Sequence, residues 1–392
     1  MHTMQVIDKN TLVPIKSWCM APEEGAINQA INLANLPFVH RWVALMPDTH
    51  QGYGMPIGGV LATKGVVIPN AVGVDIGCGM CSLESNISEW NRESLIDVVK
   101  NIRATVPVGF SKHVEPKSMD KLPEFMTGTR NFYYEQFLEA ALFQIGTLGG
   151  GNHFIELQRN PNGNLCVMIH SGSRNLGKQI ADHYNKLAIE LNKRWHTAVP
   201  EDWDLAFLPM DSEEGQGYLK EMQYCVDFAL VNRKEMMDAC QQAITKVFGP
   251  QVTFSNFVNI AHNYAQMENH LGDNVLVHRK GATSAREGEV GIIPGSQGTK
   301  SYIVQGLGNK ESFTSCSHGA GRKMGRKEAQ RTLNLENERR LLDEKGVIHA
   351  VRNTENLDEA PGAYKDIDIV MEEQKDLVKI LVELTPLAVV KG

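Results

Sequence analysis

The chain has 392 residues, of which 42% are hydrophobic and 22% charged, with a formal net charge of −7. These values predict a globular protein with one large core or two ordinary ones, and no run approaches the ~20 apolar residues that span a bilayer. The acidic balance excludes nucleic-acid binding by bulk charge while leaving room for a local basic groove. Seven scattered cysteines do not form a disulfide framework, and the first residues lack the pattern of a secretory signal. Both point to a reducing cytoplasm, without membrane contact.

Residues 22–36 open with Pro22-Glu23-Glu24 and set Ile27, Ala30, Ile31 and Ala34 on one face, which predicts a helix. Residues 40–78 and 145–174, rich in Gly, Val and Ile, predict short strands with tight turns. Within the first, Ala71-Val-Gly-Val74 predicts a buried strand that stops at Asp75. Residues 175–198 and 213–248 predict long helices, giving a helical block at about 175–250 between two β-rich regions. Residues 252–318 return to strands and Gly turns. A charged helix is expected at 324–343, and a last helix from Asp366 to Leu384 before the tail Ala388–Gly392. Strands and helices in separate runs predict an α+β fold rather than repeated βαβ units. There is no GxGxxG fingerprint, P-loop or kinase signature, so a nucleotide site must be built another way.

Asp75-Ile-Gly-Cys78-Gly places a carboxylate and a thiol three residues apart in a glycine turn. An Asp in a turn commonly caps its own backbone, and a Cys beside a strand commonly packs as a small hydrophobe. The pair gains meaning from its companions. His153 follows Gly149-Gly-Gly-Asn152, His170 ends the apolar run Leu165–Ile169, His262 sits in Ile260-Ala-His-Asn263, and His318 precedes Gly319-Ala-Gly321-Arg322. A lone histidine ordinarily just bonds a nearby carbonyl; several at glycine-rich strand ends point to a displayed site. Asp75, Cys78, His153, His170 and His262 supply more ligands than one tetrahedral ion takes, so a metal pair bridged by the Cys78 thiolate is the economical reading. Ligand chemistry alone favours zinc, with manganese, iron or cobalt behind it. His318 differs: its loop could set backbone N–H groups and Arg322 against a phosphate. Ile293–Ser301 is a second Gly/Ser loop able to meet a nucleotide. Each loop by itself also reads as an ordinary tight turn. Arg279-Lys280 and Arg322–Lys327 are basic clusters of the kind that usually just face solvent.

These stretches together resemble the RtcB family of GTP-dependent RNA ligases. The matching motifs are Met46-Pro-Asp48-Thr-His50-Gln-Gly52, Val72–Gly79, Gly149–Glu156, His170-Ser-Gly-Ser-Arg174, His262-Asn263-Tyr264, Arg279-Lys-Gly-Ala282, Pro294-Gly-Ser296, Ser315–Arg322, Ala363–Asp368 and Val390-Lys391-Gly392. The resemblance implies one α+β catalytic domain over residues 1–392, with β-sheets carrying the site and helices around it. It implies Mn²⁺ rather than zinc, two per chain, bridged by Cys78, with Asp75 and His153 on one ion and His170 and His262 on the other. GTP would be lined by Asn152, His153, Phe154, Ile155, Glu156, His262, Asn263, Pro294, Gly295, Ser296, Gln297, Ser301, His318, Gly319, Ala320, Gly321, Tyr364 and Lys391. Gln297 stands where the family pattern has Met. Arg174, Lys280 and Arg322 are the candidates for RNA phosphates, and Asp48 and His50 for orienting neighbouring groups.

The implied reaction joins an RNA 3′-phosphate or 2′,3′-cyclic phosphate end to a 5′-hydroxyl end through guanylyl-His318 and 3′-guanylylated RNA, in tRNA splicing or RNA repair. The implied setting is a cytoplasmic monomer with an archease-like activating partner. The rival enzyme class is a dinuclear metallophosphoesterase using the same ligands to activate water, and a third reading is a non-catalytic metal- or RNA-binding module.

Overall fold

The computed structural model describes residues 4–7, 9–124 and 132–392. Seven strands form an antiparallel sheet in the order Phe254–Ala261, Gly79–Ser85, Leu165–Ser171, Phe154–Arg159, Val378–Lys391, Ser301–Gly306 and Val290–Ile293. A six-stranded sheet runs Gln5–Ile7, Ile15–Ser17, Val39–Tyr53, Met55–Thr63, Asp273–Lys280 and Asn263–His270. It is antiparallel except where Ile15–Ser17 runs parallel to Val39–Tyr53. The chain passes from the first sheet to the second at His262, between Ala261 and Asn263.

Register brings the motifs to one end of the seven-stranded sheet. Ala261 pairs with Gly79, Gly79 with Ser171, Phe154 with His170, and Lys391 with Phe154. Cys78, His153, His170, His262 and Lys391 therefore sit within a residue of paired positions on neighbouring strands, although up to 313 positions separate them in sequence. Strand alternation then sorts their neighbours: Ile155 and Leu157 are buried in an apolar core cluster, while Phe154 and Glu156 take the other face.

The helices behind this sheet form because their caps and apolar faces agree. Glu213–Phe248 starts at Ser212, whose Oγ accepts the Gly215 N–H at 3.0 Å, and ends at Gly249. It buries Tyr218, Met222, Cys225, Val226 and Phe228. Arg174–Trp195 lies beside it and buries Ile180, Tyr184, Ala188 and Leu191. The helix Glu24–Ala34 falls where expected. Among the described residues, no helix is long and apolar enough to cross a membrane.

Three expectations are corrected. Residues 366–384 are not one helix: Ile367–Glu373 is helical, and Val378–Lys391 is a strand. Val378, Ile380 and Val382 are β-branched, and Pro386 cannot sit in a helix interior, so the strand prevails once partners flank it on both sides. The charged segment splits into Arg326–Thr332 and Leu335–Glu344, because the Asn334 side chain accepts the Asn337 N–H at 3.0 Å and starts a new helix. Ala71–Val74 is no strand: Pro69–Val72 is a single helical turn and Val74 is exposed. Arg92–Thr105, outside those expectations, is a further helix with an Asn91–Ser94 capping box.

Candidate active site

The turn carrying Asp75 and Cys78 is stitched to the sheet junction at residues 262–263. Gly77 N–H donates to Asn263 O at 2.8 Å, His262 N–H to Cys78 O at 2.8 Å, and Asn263 Nδ2 to Asp75 O at 3.0 Å. From behind, the fully buried Arg233 donates through Nη1 to Gly77 O at 3.0 Å and Ser171 O at 2.8 Å. Asn232 accepts from Gly146 N–H at 2.7 Å and donates to Gly172 O at 3.1 Å. These two helix residues brace three site loops, and sequence reasoning missed them. The available signal was a polar pair following Ala229-Leu230-Val231 on an otherwise apolar helix face.

Held this way, the side chains form a continuous row. Asp75 Oδ2 is 3.0 Å from His153 Nε2, His153 Nε2 is 3.5 Å from Cys78 Sγ, Cys78 Sγ is 3.3 Å from His170 Nε2, and His170 Nε2 is 3.3 Å from His262 Nε2. The potential ligand atoms of Asp75, Cys78 and His153 lie within 4.8 Å of one another, and so do those of Cys78, His170 and His262. Cys78 is the vertex common to both triads.

Protonation fits a metal. His153 Nδ1 faces Leu148 O at 3.0 Å while its Nε2 faces Asp75, and His170 Nδ1 faces Asn152 O at 3.1 Å, so the His170 ring donates there and turns its Nε2 lone pair into the row. Burial, reinforced by the neighbouring histidines, pushes His170 and His262 well below the usual imidazole range, which keeps them neutral. Burial raises the Asp75 carboxyl, but the His153 bond and the Arg174 charge outweigh it and hold it at about 2. Burial and the Asp75 charge push the Cys78 thiol well up, so its proton leaves only for a strong Lewis acid. Lone pairs of neutral imidazoles converging on one sulfur suit a divalent transition metal.

His318 lies at the end of this row, its ring edge-on to His262 with centroids 4.7 Å apart. It follows the strand Ser315–Ser317, and its Nδ1 is 2.6 Å from Oδ2 of the fully buried Asp48, which also accepts the His318 backbone N–H at 3.0 Å. The carboxylate fixes the Nδ1–H tautomer and leaves Nε2 as a free lone pair, the arrangement of an activated nucleophile. Asp48 thus orients His318 itself. His50 bonds Asp48 O through Nδ1 at 2.9 Å, and burial pushes it down to about 4. Gly321 adopts φ +72°, and a Cβ there would sit 2.3 Å from Asp48 O, so only glycine lets the His318 loop fold over Asp48.

The remaining expected residues fall into two groups. Around the row, Pro294 O accepts the Ala320 N–H at 3.0 Å, Ser301 Oγ accepts the Gly295 N–H at 3.2 Å, and Ser296 Oγ lies 3.0 Å from Thr299 Oγ1, so the two loops form one wall with Gly319. Lys391 Nζ sits 5.9 Å from the Phe154 ring centroid, and Glu156 is buried and pushed up to about 8 by burial. The second group is committed to the protein. Asn263 brackets the Asp75 turn and also accepts the Gly281 N–H at 2.7 Å. Ile155 can offer only backbone, and Gln297 is buried among backbone partners. Of the phosphate candidates, Arg174 lies against His153 Nδ1 at 3.2 Å. Lys280 is buried with its ammonium on Tyr53 O and Asn70 O at 2.6 and 3.0 Å, and burial lowers it to about 7. Arg322 is paired with Glu359, while its Nη1 is buried without a partner.

The family described as "tRNA-splicing ligase RtcB" matches residues 29–392. The chain is 40% identical to the RNA-splicing ligase RtcB of Escherichia coli K12, covering 97% of each. It is 34% identical to the RNA-splicing ligase RtcB of Mycobacterium tuberculosis H37Rv, over 93% of this chain and 100% of that protein. It is 33% identical to the tRNA-splicing ligase RtcB of Pyrobaculum aerophilum, over 93% and 91%. With matches of this length and identity, the chain belongs to the RtcB family of RNA ligases.

Proposed function

We propose that this chain, acting as one catalytic unit over residues 1–392, joins an RNA 3′-phosphate or 2′,3′-cyclic phosphate end to a 5′-hydroxyl end at the expense of GTP. The observation that carries the reading is His318, its Nδ1 held by Asp48 and its ring against His262, at the end of the Cys78-centred row. Cys78, with Asp75 and His153 on one side and His170 and His262 on the other, would hold a Mn²⁺ pair. Bound there, the metals would neutralise phosphate charge and polarise phosphoryl oxygens.

In the first step, His318 Nε2 attacks the α-phosphorus of GTP, a P–N bond forms, and pyrophosphate leaves. Asp48 stabilises the imidazolium that results. An RNA 3′-phosphate oxygen then takes the GMP from His318, and a 5′-hydroxyl attacks the activated phosphate with loss of GMP. A 2′,3′-cyclic phosphate would first be opened to the 3′-phosphate. The detour is chemically necessary because an oxygen of a phosphate monoester leaves poorly, whereas GMP leaves well. Phe154, Glu156, the Pro294–Ser301 wall, Gly319–Gly321, Tyr364 and Lys391 would line the guanosine nucleotide, and Arg174 and Arg322 would meet RNA phosphates, whereas the Lys280 ammonium is spent on Tyr53 O and Asn70 O. The setting we infer is cytoplasmic and monomeric, with tRNA halves or damaged RNA as substrate and an archease-like activator as partner.

Incubation with α-³²P-GTP and Mn²⁺ tests this. An acid-labile, alkali-stable adduct is expected at the chain's mass and absent from His318→Ala. No adduct on metal-loaded protein, together with GTP-independent phosphodiester hydrolysis, would instead establish the dinuclear phosphoesterase. Metal-dependent RNA binding with no covalent change would mark a non-catalytic module.

A further inference from the structure

Glu359 lies outside every motif singled out in the sequence, at the end of the turn Thr354–Glu359 that an Asn353–Asn356 capping box starts. Its carboxylate is buried and accepts from side chains that arrive on separate segments. Oε1 takes Arg322 Nη2 and Arg326 Nη1, each at 2.5 Å, and Oε2 takes Tyr364 Oη at 2.5 Å and Lys391 Nζ at 2.9 Å. Arg322 and Arg326 follow His318, Tyr364 pairs with Arg322 in an isolated bridge, and Lys391 ends the strand beside Phe154.

Three cations would repel one another at this spacing, and each is long enough to sample many rotamers. A buried carboxylate that bonds all of them removes both problems, and it does so by directed, charge-assisted hydrogen bonds rather than diffuse attraction. The bonds also decide which donors stay available. Arg322 spends Nη2 on Glu359 and keeps a buried, unpartnered Nη1; Lys391 keeps ammonium protons beside the Phe154 ring. Glu359 is itself pinned through its backbone. Gln297 Nε2 donates to Glu359 O at 2.8 Å, and Gln297 Oε1 accepts the Ala350 N–H at 3.3 Å. Gln297 belongs to the Pro294–Ser301 wall, so one amide links that wall to the carboxylate hub.

We infer that Glu359 is a positioning residue of the nucleotide site: it sets the reach of Lys391, Tyr364 and Arg322 toward the guanosine nucleotide and the phosphates, with Gln297 locking it in place. This rests on the GTP-dependent reading above, and deepens it by naming what aligns the ligand-facing groups. Glu359 touches no reacting atom; its effect passes through the residues it holds.

The test is steady-state and single-turnover labelling by α-³²P-GTP, with thermal unfolding measured on each protein. For Glu359→Gln, which keeps the volume but loses the charge, KM for GTP should rise about tenfold, with a much smaller change in the rate at saturating GTP. If Glu359 acts through Lys391, then in a Lys391→Ala background the same substitution should add less than about twofold to KM. Gln297→Met, nearly isosteric and without any change of charge, should raise KM by about threefold at an unchanged melting temperature, and covers the case in which Glu359→Gln fails to fold. The inference is overturned if Glu359→Gln labels with wild-type KM, if its effect multiplies fully with that of Lys391→Ala, or if Gln297→Met lowers only the melting temperature. Absence of label on the wild-type protein would instead bring down the GTP-dependent reading, and this inference with it.

Discussion

Asp48 Oδ2 stands 2.6 Å from His318 Nδ1 and 3.0 Å from the His318 backbone nitrogen, so one carboxylate oxygen grips both the ring and the main chain of the same residue. The grip fixes tautomer and aim together. Asp48→Asn keeps the shape but can present an N–H to Nδ1, favouring the tautomer with its proton on Nε2. Labelling by GTP should fall by about 10²- to 10⁴-fold, by analogy with the loss of an orienting carboxylate from a catalytic triad. Bound manganese, measured by elemental analysis of the same sample, should stay at the wild-type level, because Asp48 belongs to neither ligand triad. Wild-type labelling in Asp48→Asn would refute this role.

Gly281 guards the same ring from the other side. It adopts φ +61°, and a Cβ there would lie 3.0 Å from His318 Cε1 and 2.4 Å from Ile57 Cγ2. Gly281→Ala is therefore strained in its backbone and pushes on the ring. We expect about a 10²-fold slower labelling step, the usual cost of misplacing a reacting group by an ångström, at near-normal metal content. Equal loss of metal and of labelling would instead mean that the local fold had collapsed.

Much of the site was legible because its chemistry sits in short, unusual strings. Asp75-Ile-Gly-Cys78, Asn152-His153 and His318-Gly-Ala-Gly321 combine reactive side chains with glycine; strand register brings the first two to one sheet end, and the third meets them through the His262 ring. Long amphipathic helices were legible for the same local reason, from the spacing of their apolar residues. What stayed hidden depends on distant partners. Val378–Leu384 reads locally as the end of a helix, and becomes part of the strand Val378–Lys391 because Phe154–Arg159 and Ser301–Gly306 flank it. Asn232, Arg233 and Glu359 act by hydrogen bonds to loops far away in sequence, which no local pattern announces. Lys280 illustrates the converse: its neighbours look like a basic cluster, yet the fold buries its ammonium among carbonyls.

Arg279, beside it, leads to a prediction about stability. Its guanidinium is fully buried, paired with Glu268 through Nη1 at 2.5 Å, and it donates through Nε to Ser315 Oγ at 2.9 Å and through Nη2 to Phe313 O at 3.0 Å, on the approach to His318. Burial would raise the Glu268 carboxyl, but the His270 bond and the Arg279 charge outweigh it and hold it at about 2. Because the folded value is depressed from 4.5, the stability it contributes is complete above pH 4.5 and is lost as pH falls toward about 2. Glu268→Gln leaves Arg279 buried without its counter-charge and should destabilise the fold by about 3–5 kcal/mol near neutral pH. Urea midpoints should show the gap narrowing between pH 4.5 and pH 2. A constant gap across that window would show that the carboxylate charge is not what holds Arg279.

Cys78 is the one side chain shared by the two ligand triads, and this separates its loss from that of any histidine. Removing His262 leaves Asp75, Cys78 and His153 together, so His262→Ala should retain about one of two manganese ions per chain. Removing the thiol takes a ligand from both triads at once, and Cys78→Ala should lose both ions and all labelling. Metal loading of the wild type should also release a proton, because the thiol is held well above its usual range and only the thiolate binds. Affinity should consequently rise with pH. Calorimetric titration of manganese in buffers of different ionisation enthalpy measures that proton, and elemental analysis counts the ions. Cys78→Ala that keeps a full complement of manganese would rule out the bridge, whatever its remaining activity.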